Sequence, residues 1–434
     1  MSLSINVKNS LLLISEKVIV LGMAFLTSVL LARVAGPEIF GQFSYITSFV
    51  ALFMPLCVMG LNNIATKYFV KYPKHSHHYF LTALTIRAFG ALGCIVIGTF
   101  SAYIIGVSQE QLLYISILLF LQSFTLFYLV EFYFLAQKQV VYTLTIRLFV
   151  IVLMNSLKIV VILNGANLLN LIIIHGLETT IIGLSYLVIY YKKKTTNPPQ
   201  KSINKNSLLG FFGKGKWLLL SGISAAIYLK IDQVMIANIV GSEEVAYYAA
   251  AAKLSEFWYV FPVLIANVFH TKLVSLKKQD KEYYQNFTLK LLSFMVFAAL
   301  SVSVIMFVIA SPLITFIYGE SYQSSASILS IHIFASIFIF QRAIFSKWLI
   351  IEGNYKFSLI SHSAGAISNI TLNLLLIPNY GGIGAAWATL ISYIVASFLS
   401  LLVSQQTRGF MMLMIIAMLK WPKYLFPINK SYKN

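Results

Sequence analysis

Long apolar runs separated by short gaps fill almost the whole of this chain, and lysine and arginine occur in alternate gaps. The gap from 191 to 217 carries seven lysines. No lysine or arginine occurs in the gaps near Gln109, Asn164, Ser242, Ser321 and Gly381. Basic loops remain in the cytoplasm because positive charge resists transfer across the bilayer during insertion. The alternation therefore predicts that every second gap, together with both termini, faces the cytoplasm.

The composition excludes a soluble protein of this length. Hydrophobic residues make up 59% of the 434 residues, charged residues make up 10%, and the mean hydropathy is +0.82. A helix that crosses a bilayer needs about 20 apolar residues. Runs of suitable length occur at 11–33, 40–61, 81–106, 111–135, 141–163, 168–191, 217–239, 246–269, 287–310, 325–350, 357–378 and 381–404. The predicted fold is an all-α integral membrane protein with about twelve transmembrane helices.

The long basic gap divides these spans into two equal groups and predicts four regions. They are an N-terminal six-helix lobe at 1–191, a basic cytoplasmic linker at 192–216, a C-terminal six-helix lobe at 217–404 and a basic cytoplasmic tail at 405–434. The apolar piece 410–420 is too short to span comfortably, so we expect it at the cytoplasmic interface.

Two similar segments occupy corresponding places in the two halves. GPEIFG at 36–41 follows the first span, and GSEEVA at 241–246 follows the seventh. A proline then interrupts the next span of each half, at Pro55 and at Pro262, where the lost backbone donor bends a helix. Both halves begin on the same side of the membrane, so we predict a parallel duplication.

The formal net charge of +19 does not indicate a nucleic-acid-binding protein, because the basic residues are dispersed over loops that flank apolar spans. Orientation and attraction to anionic lipids account for them. Cys57 and Cys94 lie inside apolar runs, where we expect them to pack as small hydrophobic side chains. No cofactor, metal site or catalytic residue is expected.

Ionisable residues inside the apolar runs are the candidates for a functional site. A charge in the middle of a spanning helix costs about 3 kcal/mol, so such residues tend to face a cavity or a partner. They are Arg33 at the end of the first span, Arg147 and Lys158 in the fifth, His175 and Glu178 in the sixth, Lys230 and Asp232 in the seventh, and Lys253 and Glu256 in the eighth.

Two of these spans carry their charges at different spacings. Lys253 and Glu256 are three residues apart on one helix face, and they could form a pair that only connects helices. Lys230 and Asp232 point about 200° apart, so we expect each to find another partner. Arg87 and Glu131 lie nearer the cytoplasmic ends and are expected to act as anchors or as partners within the first lobe.

Four segments at the ends of spans carry a further pattern. They are LARVAGPEIFG at 31–41, DQVMIA at 232–237 with YYAAAAK at 247–253, IYGESY at 317–322 and IPNYGGIGAAWAT at 377–389. In order and spacing they resemble the polysaccharide flippases of the Wzx type, in the superfamily that also contains the multidrug and toxic compound extruders (MATE) and the peptidoglycan lipid flippase. The resemblance covers nearly the whole chain and implies a MATE-like fold.

The same resemblance implies a function. Flippases of this type move a polyprenyl-diphosphate-linked oligosaccharide, such as an O-antigen repeat unit, from the inner to the outer leaflet of the bacterial cytoplasmic membrane. By analogy with related flippases, a cationic cavity would hold the phosphates. The substrate contacts implied in this way are Arg33, Lys230 and Lys253, followed by Arg147 and Lys158.

The carboxylates Asp232, Glu256 and Glu178 would serve as counter-ions, or would carry a coupling proton or sodium ion. We favour counter-ions. The expected mechanism is alternating access, in which the two lobes open first inward and then outward. Besides the lipid-linked oligosaccharide, membrane lipids and a polysaccharide polymerase are candidate partners.

Two other functions remain open on the sequence alone. A drug exporter of the same fold would need fewer cations and a carboxylate site for its coupling ion. A membrane polymerase would be the enzyme alternative, but such enzymes tend to rely on a large external loop, and every outer gap here is short. The GFFGKGK pattern at 210–216 lacks the Ser or Thr and the preceding strand of a nucleotide-binding loop. We therefore expect a carrier.

Overall fold

The computed structural model describes residues 5–194 and 205–425, and no strand occurs within these two ranges. Fifteen α-helices are present there. They are α1 (Ile5–Val58), α2 (Asn62–Lys71), α3 (Ser76–Ile105), α4 (Gln109–Ser123), α5 (Leu129–Ala136), α6 (Val141–Leu163), α7 (Leu168–Lys193), α8 (Lys205–Ile239), α9 (Ser242–Glu256), α10 (Val260–Gln279), α11 (Lys281–Tyr318), α12 (Ser324–His332), α13 (Ser336–Glu352), α14 (Tyr355–Ser397) and α15 (Gln405–Leu425).

Two of these helices are too long to be single membrane spans. Helix α1 has 54 residues and α14 has 43, which at 1.5 Å per residue give lengths of about 81 Å and 65 Å, at least twice the thickness of a bilayer core. Each is broken at one glycine, Gly36 (φ 78°, ψ 175°) and Gly381 (φ 51°, ψ −133°). The gaps predicted there are therefore single-residue breaks.

The predicted fold class is confirmed. Ten helical segments of the described chain are long and apolar enough to cross a membrane, and two of them, Ser15–Lys71 and Lys356–Val403, contain the glycine breaks. Each of those two covers a pair of predicted spans. The ten segments therefore accommodate the expected crossings, of which there are about twelve.

Short 3-10 turns interrupt three of the spans. They lie at Phe124–Tyr128 between α4 and α5, at Phe257–Tyr259 between α9 and α10, and at Ile333–Ala335 between α12 and α13. Only the second was anticipated in part, through Pro262 three residues beyond it. At Pro55 the expectation was imprecise, because α1 continues to Val58 before Met59 and Gly60 adopt positive φ.

The chain divides into two compact units, residues 1–237 and 238–434. The division falls near the end of α8, which the sequence places in the second half. Part of the predicted linker, 195–204, lies outside the described residues, and the remainder from 205 onward is helical. The boundaries predicted at 191 and 217 stay predictions.

Two contacts join α8 to other parts of the first unit. Gly60 lies against Gly215 so closely that a Cβ atom on Gly60 would be 2.6 Å from the Gly215 carbonyl oxygen. Further along α8, the Ser48 hydroxyl donates a buried 2.7 Å hydrogen bond to Oε1 of Gln233. The two contacts lie eighteen residues apart on α8, one with Ser48 of α1 and the other with Gly60 just beyond the end of α1.

In both units, side chains from one basic gap contact side chains from another basic gap. In the first unit Lys214 hydrogen-bonds the Tyr68 hydroxyl, and Lys193 lies 5.7 Å from the centre of the Tyr142 ring. In the second unit the Lys277 Nζ atom is 2.8 Å from Oε1 of Glu352. Each contact joins two gaps that the alternation places on the same side.

Three lysine-free gaps of the second unit meet in the same manner. The Tyr247 ring packs edge-on against the Tyr322 ring with 5.9 Å between centres, and the Gly382 amide donates to Glu244. These contacts group the gaps near Ser242, Ser321 and Gly381. The packing thus groups basic gaps with basic gaps and lysine-free gaps with lysine-free gaps. Which group faces the cytoplasm stays a prediction.

The apolar piece 410–420 lies within α15, a helix of 21 residues. Its buried side chains Phe410, Met414 and Ala417 join the apolar core formed by α10, α11 and α13. Packing against these helices, and not a lipid interface alone, therefore holds this part of the predicted tail.

Candidate functional site

A buried ion pair joins α6 to α7 in the first unit. The Lys158 Nζ atom lies 2.6 Å from Oε2 of Glu178, and the two side chains are 7% and 18% exposed. The same ammonium group donates to Nδ1 of His175 at 3.3 Å. An ammonium group only donates hydrogen bonds, so Nδ1 of His175 is the acceptor in this contact.

Helical spacing brings these four groups together. Asn155 and Lys158 are three residues apart on α6, as are His175 and Glu178 on α7, so each pair shares a helix face. The Asn155 amide nitrogen donates to the Ile151 carbonyl at 2.8 Å and lies 3.5 Å from Glu178. The Thr27 hydroxyl of α1 donates to Oδ1 of Asn155 at 3.0 Å. Three helices therefore contribute to one polar cluster.

This cluster satisfies its charges internally. Breaking a buried ion pair by removing one partner costs about 3–5 kcal/mol, because the remaining charge is left in an apolar environment. Lys158 and Glu178 were predicted separately, as a substrate contact and as a counter-ion or coupling group. The structure places them in contact, and their roles in binding and coupling stay predictions.

A second cluster surrounds Arg147. Its Nε atom is 3.2 Å from Oε1 of Glu16, and its NH1 atom is 3.3 Å from Oε2 of Glu131. The ring of Tyr128 lies 6.0 Å from the guanidinium carbon. Two carboxylates thus face one guanidinium group, and the role of Arg147 as a substrate contact stays a prediction.

Glu131 is thus a partner within the first unit, and so is Arg87. The Arg87 side chain is 1% exposed; it donates to the Leu126 carbonyl at 3.2 Å and hydrogen-bonds Asn62. Leu126 lies in the 3-10 turn between α4 and α5. The guanidinium therefore satisfies a carbonyl in an interrupted span, where regular helical bonding is lost.

The remaining predicted site residues lie on α1, α8 and α9. Arg33 is exposed, Lys230, Lys253 and Glu256 are half-buried, and Asp232 is 2% exposed. Their roles in binding or coupling stay predictions.

Polar side chains form a network in the second unit. The Ser255 hydroxyl and Nδ1 of His332 are 2.6 Å apart, and the Tyr259 hydroxyl is 3.5 Å from the same nitrogen. Tyr248 packs edge-on against His332 and hydrogen-bonds Thr389 at 3.1 Å. The network connects α9, α12 and α14. His332 is therefore a hydrogen-bonding residue within the packed interior.

Arg342 is a buried cation that binds a helix end. Its NH1 atom donates to the Ser361 hydroxyl and to the Ala396 carbonyl, both at 2.8 Å, and its NH2 atom lies 3.2 Å from Nδ1 of His362. Ala396 belongs to the last turn of α14, which ends at Ser397. Carbonyl groups at a helix C-terminus carry partial negative charge and attract cations.

Glu244 has the opposite arrangement, a carboxylate at a helix start. Its Oε1 atom accepts a 2.6 Å hydrogen bond from the Gly382 amide, immediately after the break at Gly381. The amides of a new helical segment lack internal partners, and a carboxylate there is favourable. Glu244 was not among the predicted site residues.

Within the second unit, part of the second family-like segment contacts both the third and the fourth. Tyr247 and Tyr248 of the second segment reach Tyr322 of the third and Thr389 of the fourth. These contacts give the resemblance a physical basis, because the segments build one packed end of the unit.

Sequence reasoning missed two kinds of residue in the first unit. Glu16 lies in the first apolar run and met the stated criterion for an intramembrane charge, so the sequence alone could have identified it as a candidate. Asn155 and Thr27 carried no such signal, because uncharged polar residues are common in spans and only their neighbours reveal a role.

Two family models match the chain. The polysaccharide biosynthesis protein family matches residues 6–271, and the family of the Lipid II flippase MurJ matches residues 182–426. A curated "Putative O-antigen transporter" from Shigella flexneri is 27% identical over 179 residues, which are 41% of this chain and 42% of that protein. The match thus spans less than half of that relative.

Solved structures of two transporters share the fold. The Lipid II flippase MurJ in its inward closed conformation has a TM-score of 0.68 at 16% identity, over 96% of this chain and 91% of that one. An inward-facing multidrug resistance MATE family transporter has a TM-score of 0.70 at 15% identity, over 91% and 95%. At these identities the likeness concerns the fold alone.

These findings define a multi-pass membrane protein with the fold of MATE-like flippases and exporters. Its matches are to transporters and flippases, which confirms the expectation that it is not an enzyme. The chain belongs to the polysaccharide biosynthesis protein family, the Wzx-type group that its four segments resemble.

Proposed function

We propose that this protein moves a polyprenyl-diphosphate-linked oligosaccharide from the inner to the outer leaflet of the bacterial cytoplasmic membrane by alternating access. The observation that carries the proposal is the pair of family matches, one to polysaccharide biosynthesis proteins and one to a lipid flippase, which together extend over residues 6–426. The relative described as an O-antigen transporter supports a repeat unit of that kind as the substrate.

Within this function, Lys230 and Lys253 are the first candidates for contact with the diphosphate, together with Arg33. The first two are half-buried cations on spanning helices, where a desolvated phosphate would be held strongly. Arg147 and Lys158 are the next candidates, and each also lies within 3.3 Å of a carboxylate. Asp232, Glu256 and Glu178 act in this proposal as counter-ions that keep the interior cations charged.

The positive-inside rule supports an orientation with the lysine-rich gaps and both termini in the cytoplasm. A polysaccharide polymerase on the outer side would then consume the flipped unit. Single cysteines placed near Lys193 and near Ser242, in a chain with Cys57 and Cys94 replaced, test the orientation. An impermeant thiol reagent applied to intact cells should label only the cysteine near Ser242.

Gene deletion tests the proposed activity directly. Lipid-linked saccharides from the mutant and the parent are sorted by membrane leaflet. Accumulation of a diphosphate-linked oligosaccharide in the inner leaflet, with loss of surface polymer, is the expected result. A complete unit that reaches the outer leaflet and stays unpolymerised would contradict the proposal, and so would an unchanged lipid pool.

Substitution tests the proposed contacts one residue at a time. Lys230→Ala should stop export while the folded protein stays at its normal level. Lys216→Ala is a matched control, because Lys216 is an exposed lysine near the start of the same helix α8. Normal export by the Lys230 variant would remove this residue from the site.

A drug exporter is the second candidate function, favoured by the likeness to a multidrug MATE transporter. Fold alone does not fix a substrate. Loss of dye efflux in the deletion strain, with normal lipid-linked saccharides, would favour this function over the flippase.

A further inference from the structure

An open groove lies between α6 and α7 on the first unit, outside the polar clusters. Its volume is about 350 Å³, and it is lined by Ile146, Leu184, Ser185, Val188, Ile189 and Lys192. This volume lies at the lower end of the range of small-molecule sites, about 300–1,000 Å³. Five of the six residues belong to α7, and Ile146 of α6 completes the lining.

The α7 residues form a stripe along one helix face. Ser185, Val188, Ile189 and Lys192 follow the spacing of three and four residues that places side chains above one another. From Leu184 to Lys192 the helix rises about 12 Å. The groove is therefore elongated and largely apolar, and one ammonium group lies at its end.

The lysine end of the groove lies where a membrane surface is expected. Lys192 is followed by Lys193, whose Nζ atom is 5.7 Å from the Tyr142 ring centre, and by Lys194, which is 5.1 Å from the Tyr191 ring centre. Tyrosine and lysine together are typical of the headgroup level of a bilayer. Both aromatic contacts engage the neighbouring lysines, and Lys192 is the lysine that lines the groove.

We propose that this groove binds one anionic glycerophospholipid, with its phosphate at Lys192 and an acyl chain along Leu184, Val188 and Ile146. Basic pockets between membrane helices attract anionic headgroups. Lys192, the only lysine among the described residues that line the groove, provides the complementary charge. Ser185 adds a hydroxyl group within the otherwise apolar part.

The length of the groove favours a resident lipid over the transported one. About 12 Å corresponds to the chains of a single leaflet, whereas the hydrocarbon core is about 30 Å thick. A flipped lipid needs a path across the full core for its headgroup. A phospholipid of one leaflet needs only the length that is present.

Native mass spectrometry of the full-length protein in detergent tests the proposal. Phosphatidylglycerol and phosphatidylcholine are titrated against the unmodified protein and against three variants. Lys192→Gln removes the groove's charge, Val188→Trp fills its apolar part, and Lys193→Gln is the matched control at the adjacent position. Polyprenyl phosphate is added as a competitor in a separate titration.

The unmodified protein should bind phosphatidylglycerol more tightly than phosphatidylcholine. Lys192→Gln should weaken binding of phosphatidylglycerol about fivefold, as expected for one lysine at a membrane surface. Val188→Trp should remove one bound lipid, and Lys193→Gln should change the affinity less than twofold. Val188→Trp tests the groove independently of Lys192. The proposal can therefore still be tested if the Lys192 variant does not fold.

Three outcomes would overturn the proposal. They are equal affinity for the two phospholipids, equal loss in the Lys192 and Lys193 variants, and retention of the lipid by Val188→Trp. Displacement of phosphatidylglycerol by an equimolar amount of polyprenyl phosphate would reassign the groove to the transported lipid. None of these measurements depends on flippase activity, so failure here and failure of the proposed function are separate results.

Discussion

The paired helices α6 and α7 of the first unit and the helix ends within α14 in the second unit stabilise interior charges differently. In the first region a cation faces a carboxylate, as in the Lys158–Glu178 pair. In the second unit Arg342 binds the carbonyl end of α14, and Glu244 binds the amide that follows the break at Gly381. An ion pair brings two desolvated charges together, whereas a charge at a helix end needs only backbone dipoles. One fold therefore accommodates interior charge in two ways, and these respond differently to mutation.

The largest expected effect concerns the ion pair of the first unit. Lys158→Ala leaves Glu178 without its cation and should lower the free energy of unfolding by about 3–5 kcal/mol. Titration with denaturing detergent in mixed micelles measures the loss. Replacing both partners, Lys158→Met with Glu178→Leu, should restore most of the stability, because apolar residues of similar volume avoid the unpaired charge. A double variant as unstable as the single one would show that the ion pair is not the cause.

The next largest effect concerns the glycine break in the second unit. Gly381 has φ +51°, and a Cβ atom there would lie 2.6 Å from Oε1 of Glu244. Gly381→Ala should therefore cost about 1–3 kcal/mol of unfolding free energy. Gly409→Ala is the control, since nothing lies within 4 Å of its Cβ position, and it should be neutral or stabilising by up to about 1 kcal/mol. Equal stability of the two variants would contradict this account.

A smaller effect is expected where the first unit begins its sixth span. There the Asn167 side chain accepts a 3.2 Å hydrogen bond from the Asn170 amide, so the helix caps itself. Asn167→Ala should cost about 1 kcal/mol in the same titration. Asn167→Asp keeps the acceptor and should retain the stability. If both variants lose equal stability, the cap is not what the residue contributes.

The smallest effect is expected at the exposed pair of the second unit. The Lys277 and Glu352 side chains are 36% and 31% exposed, and such pairs contribute about 0–1 kcal/mol. Lys277→Ala should change the unfolding free energy by no more than that, and added salt should reduce the difference. A loss as large as that of Lys158→Ala would show that burial does not distinguish the two pairs.

The sequence predicted most of the fold but only part of the site. The spans and the alternation of their gaps were readable because each apolar run is a local property of the chain. Arg147 and Lys158 were also readable as intramembrane charges, yet their partners were not. Glu16 and Arg147 lie on α1 and α6, and no spacing rule connects residues so far apart in the chain. The 3-10 turns at Phe124–Tyr128 and Ile333–Ala335 were missed for a related reason, since carbonyl groups in them accept hydrogen bonds from other helices, at Leu126 and at Ile333.

By itself the sequence determined that this chain is a helical membrane protein with about twelve crossings, because a bilayer fixes the length of each span and requires every backbone group in it to be bonded internally. It also identified the family through four short segments. Only the tertiary structure decided which charges meet, as in the bond between Glu244 and Gly382, 138 residues apart. That choice depends on the packing of whole helices, and the electrostatic energy depends on the distance and burial that packing creates.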